Sequence, residues 1–101
     1  MNQPQTFNEA CHLIASEIAE LVIGKQHDYG HQNILDFGEL GILVRVNDKV
    51  SRLKNLINKE AVNETKTDSW KDIAGYSIVE LMRERGWFTL ELEEENNGNN
   101  I

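Results

Sequence analysis

The sequence predicts an all-α fold: a small bundle of three long helices, with room for a short fourth, followed by an acidic tail. Three observations predict it. Apolar residues recur at helical spacing in three separate runs. No stretch alternates with the period of two that a half-buried strand requires. The one proline, Pro4, precedes all of the periodic sequence, so nothing interrupts the helices. At 101 residues the chain supports one hydrophobic core. It divides into a domain over 1–90 and a disordered, Glu- and Asn-rich tail over 91–101.

Each periodic run opens on a capping-box pattern: Thr6 with Glu9, Asp36 with Glu39, and Thr65 with Asp68. In the first helix Phe7, Cys11, Ile14, Ile18, Leu21 and Val22 form one stripe, and Gly24 reads as its stop. The second helix, over about 38–58, aligns Ile42, Val46, Val50, Leu53 and Ile57. The third, over about 66–85, aligns Trp70, Ile73, Ala74, Ser77, Ile78 and Leu81, and ends on Arg83, Arg85 and Gly86. Residues 25–36 read as a polar loop and 58–65 as a polar connector. Trp87, Phe88 and Leu90 are too apolar for solvent and are expected to dock on the bundle or on a partner.

The charge balance removes some functions. Seventeen acids against ten bases give −7, and residues 1–90 alone carry −3. That argues against duplex nucleic acid and against an anionic membrane surface, both of which attract net basic faces. No apolar run reaches the ~18 residues of a spanning helix. No signal peptide is visible, and the lone Cys11 fits a reducing compartment. These features together predict a cytoplasmic protein.

Polar residues also fall into stripes. Arg45, Asp48, Arg52 and Asn55 share a face of the second helix, with Lys49 at its border. Guanidinium forks match phosphate oxygens, although the same stripe suits a solvated face of i,i+4 ion pairs. Asp68 and Asp72 stand one turn apart on the third helix, beside Gly75 and Tyr76. Two such carboxylates can share a hard cation with ligand phosphates, and Asp68 also suits a plain capping role. Glu17 and Glu20 make an E-x-x-E pair that is common on surface helices. His27 and His31 flank Gly30 and make a poor zinc pair. Gly75 costs about 1 kcal/mol relative to Ala inside a helix, so a close neighbour should require it.

The blocks Asp28-Tyr29-Gly30, Asn33-Ile34, Phe37-Gly38, Gly41 to Arg45, Asp48 to Leu56 and Asp68 to Tyr76 resemble a phage-associated family, the nucleotide modification associated domain, type 1. The resemblance spans residues 25–82 and implies a small α-helical protein of nucleotide metabolism or base modification. A looser similarity is to the all-α nucleoside triphosphate pyrophosphohydrolases of MazG-like and dimeric dUTPase-like type. Those hold Mg²⁺ through an E-x-x-E then E-x-x-D pattern. Here Asp68 and Asp72 depart from that spacing by one residue.

On this resemblance the leading expectation is a Mg²⁺-dependent nucleoside triphosphate pyrophosphohydrolase. Asp68, Asp72 and Glu17 would be catalytic, with Glu20 and Asp48 as further metal ligands. Lys25, Arg45, Lys49 and Arg52 would hold phosphates, and Asp28, Tyr29, Asn33, Asn55 and Tyr76 would meet the base. The expected assembly is a homodimer or tetramer. One rival is a binding protein that sequesters a nucleotide or a nucleotide-derived defence signal without chemistry. Another is a protein–protein adaptor built on Trp87, Phe88 and the acidic tail. A convergent set of acids favours catalysis, whereas a pocket of Arg, Tyr and Asn favours binding alone.

Overall fold

A computed structural model describes residues 3–93. It is all-helical, with no strand among the described residues. Helix α1 spans Phe7–Tyr29, α2 spans Gln32–Asn55 and α3 spans Lys66–Glu84. The acidic tail beyond residue 93 lies outside the described residues.

Two of the three capping signals form as expected. Thr6 Oγ1 accepts from the Glu9 amide at 3.1 Å, and Thr65 Oγ1 accepts from the Asp68 amide at 3.0 Å. Each satisfies an amide that the first helical turn would leave bare. The C-terminus of α3 closes in a Schellman motif. The Trp87 amide donates to the Met82 carbonyl at 2.8 Å and the Gly86 amide to the Arg83 carbonyl at 3.1 Å, with Gly86 at φ 74°. That turn sends Phe88 back onto the bundle, where it is 5% exposed. Trp87 and Leu90 remain largely exposed.

The first two helices depart from expectation at their ends. Gly24 does not stop α1, which continues five residues further to its cap at Gly30. The helix gains backbone hydrogen bonds by continuing through a glycine that meets no neighbour. The expected loop over 25–36 is therefore helical except at Gly30 and His31. Asp36 caps nothing: it accepts from Gln32 Nε2 at 2.8 Å inside a short helical segment that ends at Gly38. Gly38 itself breaks α2 at φ 58° and ψ −148°, a conformation reached almost only by glycine. The break folds Phe37 back so tightly that a side-chain carbon at Gly41 would overlap Phe37 Cβ. The paired glycines at 38 and 41 make this joint.

Helix α3 is the shared partner, packing against both α1 and α2. The core joins Ile42 of α2, Val79 of α3 and Phe88, with Val22, Ile34, Val46, Tyr76 and Met82 around them. At Gly75 α1 comes close: an added Cβ would stand 3.4 Å from Val22 Cγ2. That is an ordinary contact distance, so the packing of α1 does not by itself require a glycine here.

The buried side of α3 is not the expected one. Ser69, Gly75 and Val79 point inward, whereas Trp70 and Leu81 are 61% and 51% exposed. In the first half of α1, Phe7 is 86% and Ile14 57% exposed, on a stripe whose continuation at Ile18 is buried. The radius of gyration, 16.0 Å, accordingly exceeds the ~13 Å of a compact chain of this length.

Candidate functional site

Where the three helices meet, a cleft of about 260 Å³ opens. Helix α1 contributes Lys25, Gln26 and Tyr29, the short segment before Gly38 contributes Asn33 and Ile34, and α2 contributes Arg45. Asp72, Gly75 and Tyr76 of α3 complete the wall, with Val79 and Phe88 as its apolar floor. The extension of α1 past Gly24 is what carries Lys25 and Tyr29 to this position. Gln26 Nε2 donates to the Phe88 carbonyl at 3.2 Å and so ties the cleft to the core.

Six of the residues singled out in the sequence therefore share one wall: Lys25, Tyr29, Asn33, Arg45, Asp72 and Tyr76. Beside them runs an ionic seam between α2 and α3. Lys49 Nζ lies 2.9 Å from Asp72 Oδ2 and 3.0 Å from Glu64 Oε1, while Lys25 Nζ reaches Asp72 Oδ1 at 3.4 Å. Arg52 donates to Ser69 Oγ at 2.7 Å, and the Ser69 hydroxyl in turn donates to Glu64 Oε2 at 2.7 Å. Arg52 also reaches the Thr65 carbonyl at 3.3 Å. Glu64, which extends the Asp68 and Asp72 row by one more turn in the sequence, belongs to this seam, and so does Ser69, which the sequence reading did not single out. Their signal was spacing: Ser69 stands three residues before Asp72, on its face of α3.

Charges in the seam stabilise one another. Burial works against the Lys49 ammonium, but hydrogen bonds to Asp72 and Glu64, with their charges, outweigh it and hold its pKa above the ordinary lysine value. The Ser69 hydroxyl, then Lys49, hold the Glu64 carboxyl below the ordinary glutamate value.

Arg45 differs from these cations. It is half-buried in the cleft wall, and among the described residues no carboxylate lies within ion-pairing distance of it.

The remaining expected residues lie elsewhere. Asp68 is exposed in the first turn of α3, where its amide is capped by Thr65. Glu17 pairs with Lys71 at 3.4 Å, and Glu20, Asp48 and Asn55 are exposed. Asp28 is exposed and pairs with His27 at 3.0 Å. The five expected metal ligands do not converge within this chain: no three of Glu17, Glu20, Asp48, Asp68 and Asp72 bring carboxylate oxygens within 4.8 Å of one another. Asp72, the one in the cleft, already neutralises two lysines, which suits it poorly to a hard cation.

Among the described residues the group of acids near enough to share an ion is Glu39, Glu80 and Glu84. There the Arg83 guanidinium holds the Glu80 carboxyl below its ordinary range, and the hydrogen bond from Glu84 to Glu80 raises the pKa of Glu84. Glu80, the least exposed of the three, is already paired with Arg83 at 2.8 Å.

No family model, curated protein or solved structure matches this chain. No helix among the described residues is long and apolar enough to cross a membrane.

Proposed function

We propose that the three-helix cleft binds a nucleotide or a similar phosphorylated small molecule and returns it unchanged. The observation that carries this reading is Arg45, a half-buried guanidinium without a carboxylate partner among the described residues. A shielded, unpaired cation favours an anion, and guanidinium matches phosphate with parallel donors. Lys25, half exposed at the rim, adds a second positive charge. Tyr29 and Tyr76 offer aromatic faces for a base, and Asn33 and Gln26 offer both donors and acceptors to its edge. The volume, about 260 Å³, lies just below the range of small-ligand sites, so a bound nucleotide would extend past the rim at Lys25.

The balance of groups favours binding over hydrolysis. Phosphoryl chemistry needs acids that hold a metal and activate water. The cleft wall contains one acid, and that acid is paired twice. A pyrophosphohydrolase reading would need further carboxylates brought to Asp72 from elsewhere, such as a second chain. The adaptor reading loses Phe88, which is spent in the core.

Calorimetric titration with nucleoside mono- and triphosphates, with and without Mg²⁺, tests the proposal. The expected result is saturable binding of at least one nucleotide, abolished by Arg45→Gln, with the ligand recovered intact by chromatography. Pyrophosphate released from any triphosphate would overturn the binding-only reading in favour of hydrolysis. Absence of binding across the series would overturn the nucleotide reading.

A further inference from the structure

We infer that the cleft selects a phosphate monoester with two negative charges, a nucleoside monophosphate, over the triphosphate and over a phosphodiester. This rests on the reading of the cleft as a nucleotide site and narrows the ligand by charge. Lys25 and Arg45 are the cations of the cleft wall, and Asp72 is its acid. The ligand class follows from how many of these charges the fold has already cancelled.

Pairing leaves two positive charges over. Lys49, which does not line the cleft, holds Asp72 Oδ2 at 2.9 Å. Arg52 lies 3.6 Å from Glu64 Oε2 and is tied to it through the Ser69 hydroxyl. These two pairs balance both acids of the seam without Lys25. Lys25 is the looser partner of Asp72: its ammonium stands 3.4 Å from Oδ1, and half of its side chain is exposed. It can turn to an occupant while Asp72 keeps Lys49. Arg45 has no ion pair among the described residues, whereas Arg52 and Arg83 meet carboxylates and Arg85 lies over the Trp87 ring. Lys25 and Arg45 are therefore the charges that an occupant meets.

A phosphate monoester matches that pair. Its second ionisation falls near pH ~6, so at neutral pH it carries close to two negative charges, on terminal oxygens that all accept hydrogen bonds. Those oxygens serve a guanidinium fork and an ammonium together. A phosphodiester carries a single charge, which satisfies Arg45 and leaves Lys25 with Asp72. A triphosphate brings charges beyond the two cations. Among the described residues the wall has no third cation for them, and its one acid repels them. Space agrees with charge. A cleft of about 260 Å³ does not enclose even a mononucleotide, so the outer phosphates of a longer chain stand in solvent and gain little.

Calorimetric titration of the full chain at about pH 7.5, where the monoester is doubly charged, tests this selection. For each of the adenine, guanine, cytosine and uracil nucleosides, the probes are the monophosphate, its methyl ester and the triphosphate, the last with and without Mg²⁺. The methyl ester keeps base and sugar and removes one charge. For at least one base the monophosphate is expected to bind at least about tenfold tighter than either of the others, the scale of one charge-assisted hydrogen bond. Lys25→Gln should bring the monophosphate down to the affinity of the methyl ester and leave the methyl ester itself unchanged. Lys25→Arg, which keeps the charge, should keep the preference, and far-UV circular dichroism reports that both variants fold. A methyl ester or a triphosphate that binds as tightly as the monophosphate would overturn the selection and leave the nucleotide site standing. So would a monophosphate preference indifferent to Lys25→Gln. Failure of every probe to bind would overturn the nucleotide site itself, and the selection with it.

Discussion

Arg52 donates to the hydroxyl of Ser69 at 2.7 Å, from α2 across to α3, at a side chain with no exposed surface at all. Ser69 passes the interaction on to Glu64, so one hydroxyl joins both helices and the connector between them. Removing it costs both helices their shared hydroxyl at a site only partly reached by water, leaving Arg52 with the Thr65 carbonyl and Glu64 with Lys49. Ser69→Ala is expected to destabilise the fold by about 1–3 kcal/mol, measured as a lowered urea midpoint with an unchanged slope.

The same seam sets a pH dependence. Glu64 has its folded pKa depressed below the ordinary 4.5, so its contribution is present above that value and is lost as pH falls through the folded one. Lys49 has its pKa raised above the ordinary 10.5, so its contribution is present below that value and is lost as pH rises through the folded one. The chain should hold its stability between these limits. Glu64→Gln should be less stable than wild type at neutral pH. The gap between the two unfolding midpoints should close as the pH falls below the ordinary glutamate value and through the depressed folded one.

Two glycines make a matched pair. Neither Gly24 nor Gly38 would bring an added Cβ near any atom, so backbone alone decides each outcome. Gly24 lies inside α1 at helical geometry, and Gly24→Ala should stabilise by up to about 1 kcal/mol. Gly38 occupies a conformation closed to alanine, and Gly38→Ala should destabilise by about 1–3 kcal/mol. Thermal melts of the two variants beside wild type are expected to shift in opposite directions.

Gly75 should separate stability from binding. Gly75→Ala gains helix propensity, and its methyl group meets Val22 at ordinary contact distance. The melting temperature is expected to stay level or rise. Because Gly75 also lines the cleft, nucleotide affinity is expected to fall about tenfold, the scale of overfilling a fitted space. Calorimetry and a thermal melt on the same sample check both halves.

Helix class and the body of α3 were legible because caps and periodicity agreed there: Thr65 and Gly86 bracket α3 within a residue of the expectation. Periodicity alone misplaced the end of α1, because a glycine in a helical run signals a stop or a mere weak point with equal force. It also placed Trp70 and Leu81 inside. Hydrophobicity ranks the faces of a helix but does not say which face its own chain will cover. Here the polar face won α2, because Lys49, Asp72, Arg52 and Ser69 satisfy one another there. Of the site, the cationic and aromatic residues were legible from their stripes. That Asp68 stays exposed while Asp72, one turn on, joins the seam was not, since spacing alone does not say which turn of a helix a neighbour will cover.

The break at Gly38 places Asn33 and Arg45 on opposite sides of a single articulation. The wall of the cleft thus draws on both sides of that break, and the dihedral angles of Gly38 set the direction of one against the other. Any occupant that grips both sides splints that articulation. Slower amide hydrogen exchange around Gly38 would register occupancy, even though Gly38 touches nothing in the cleft.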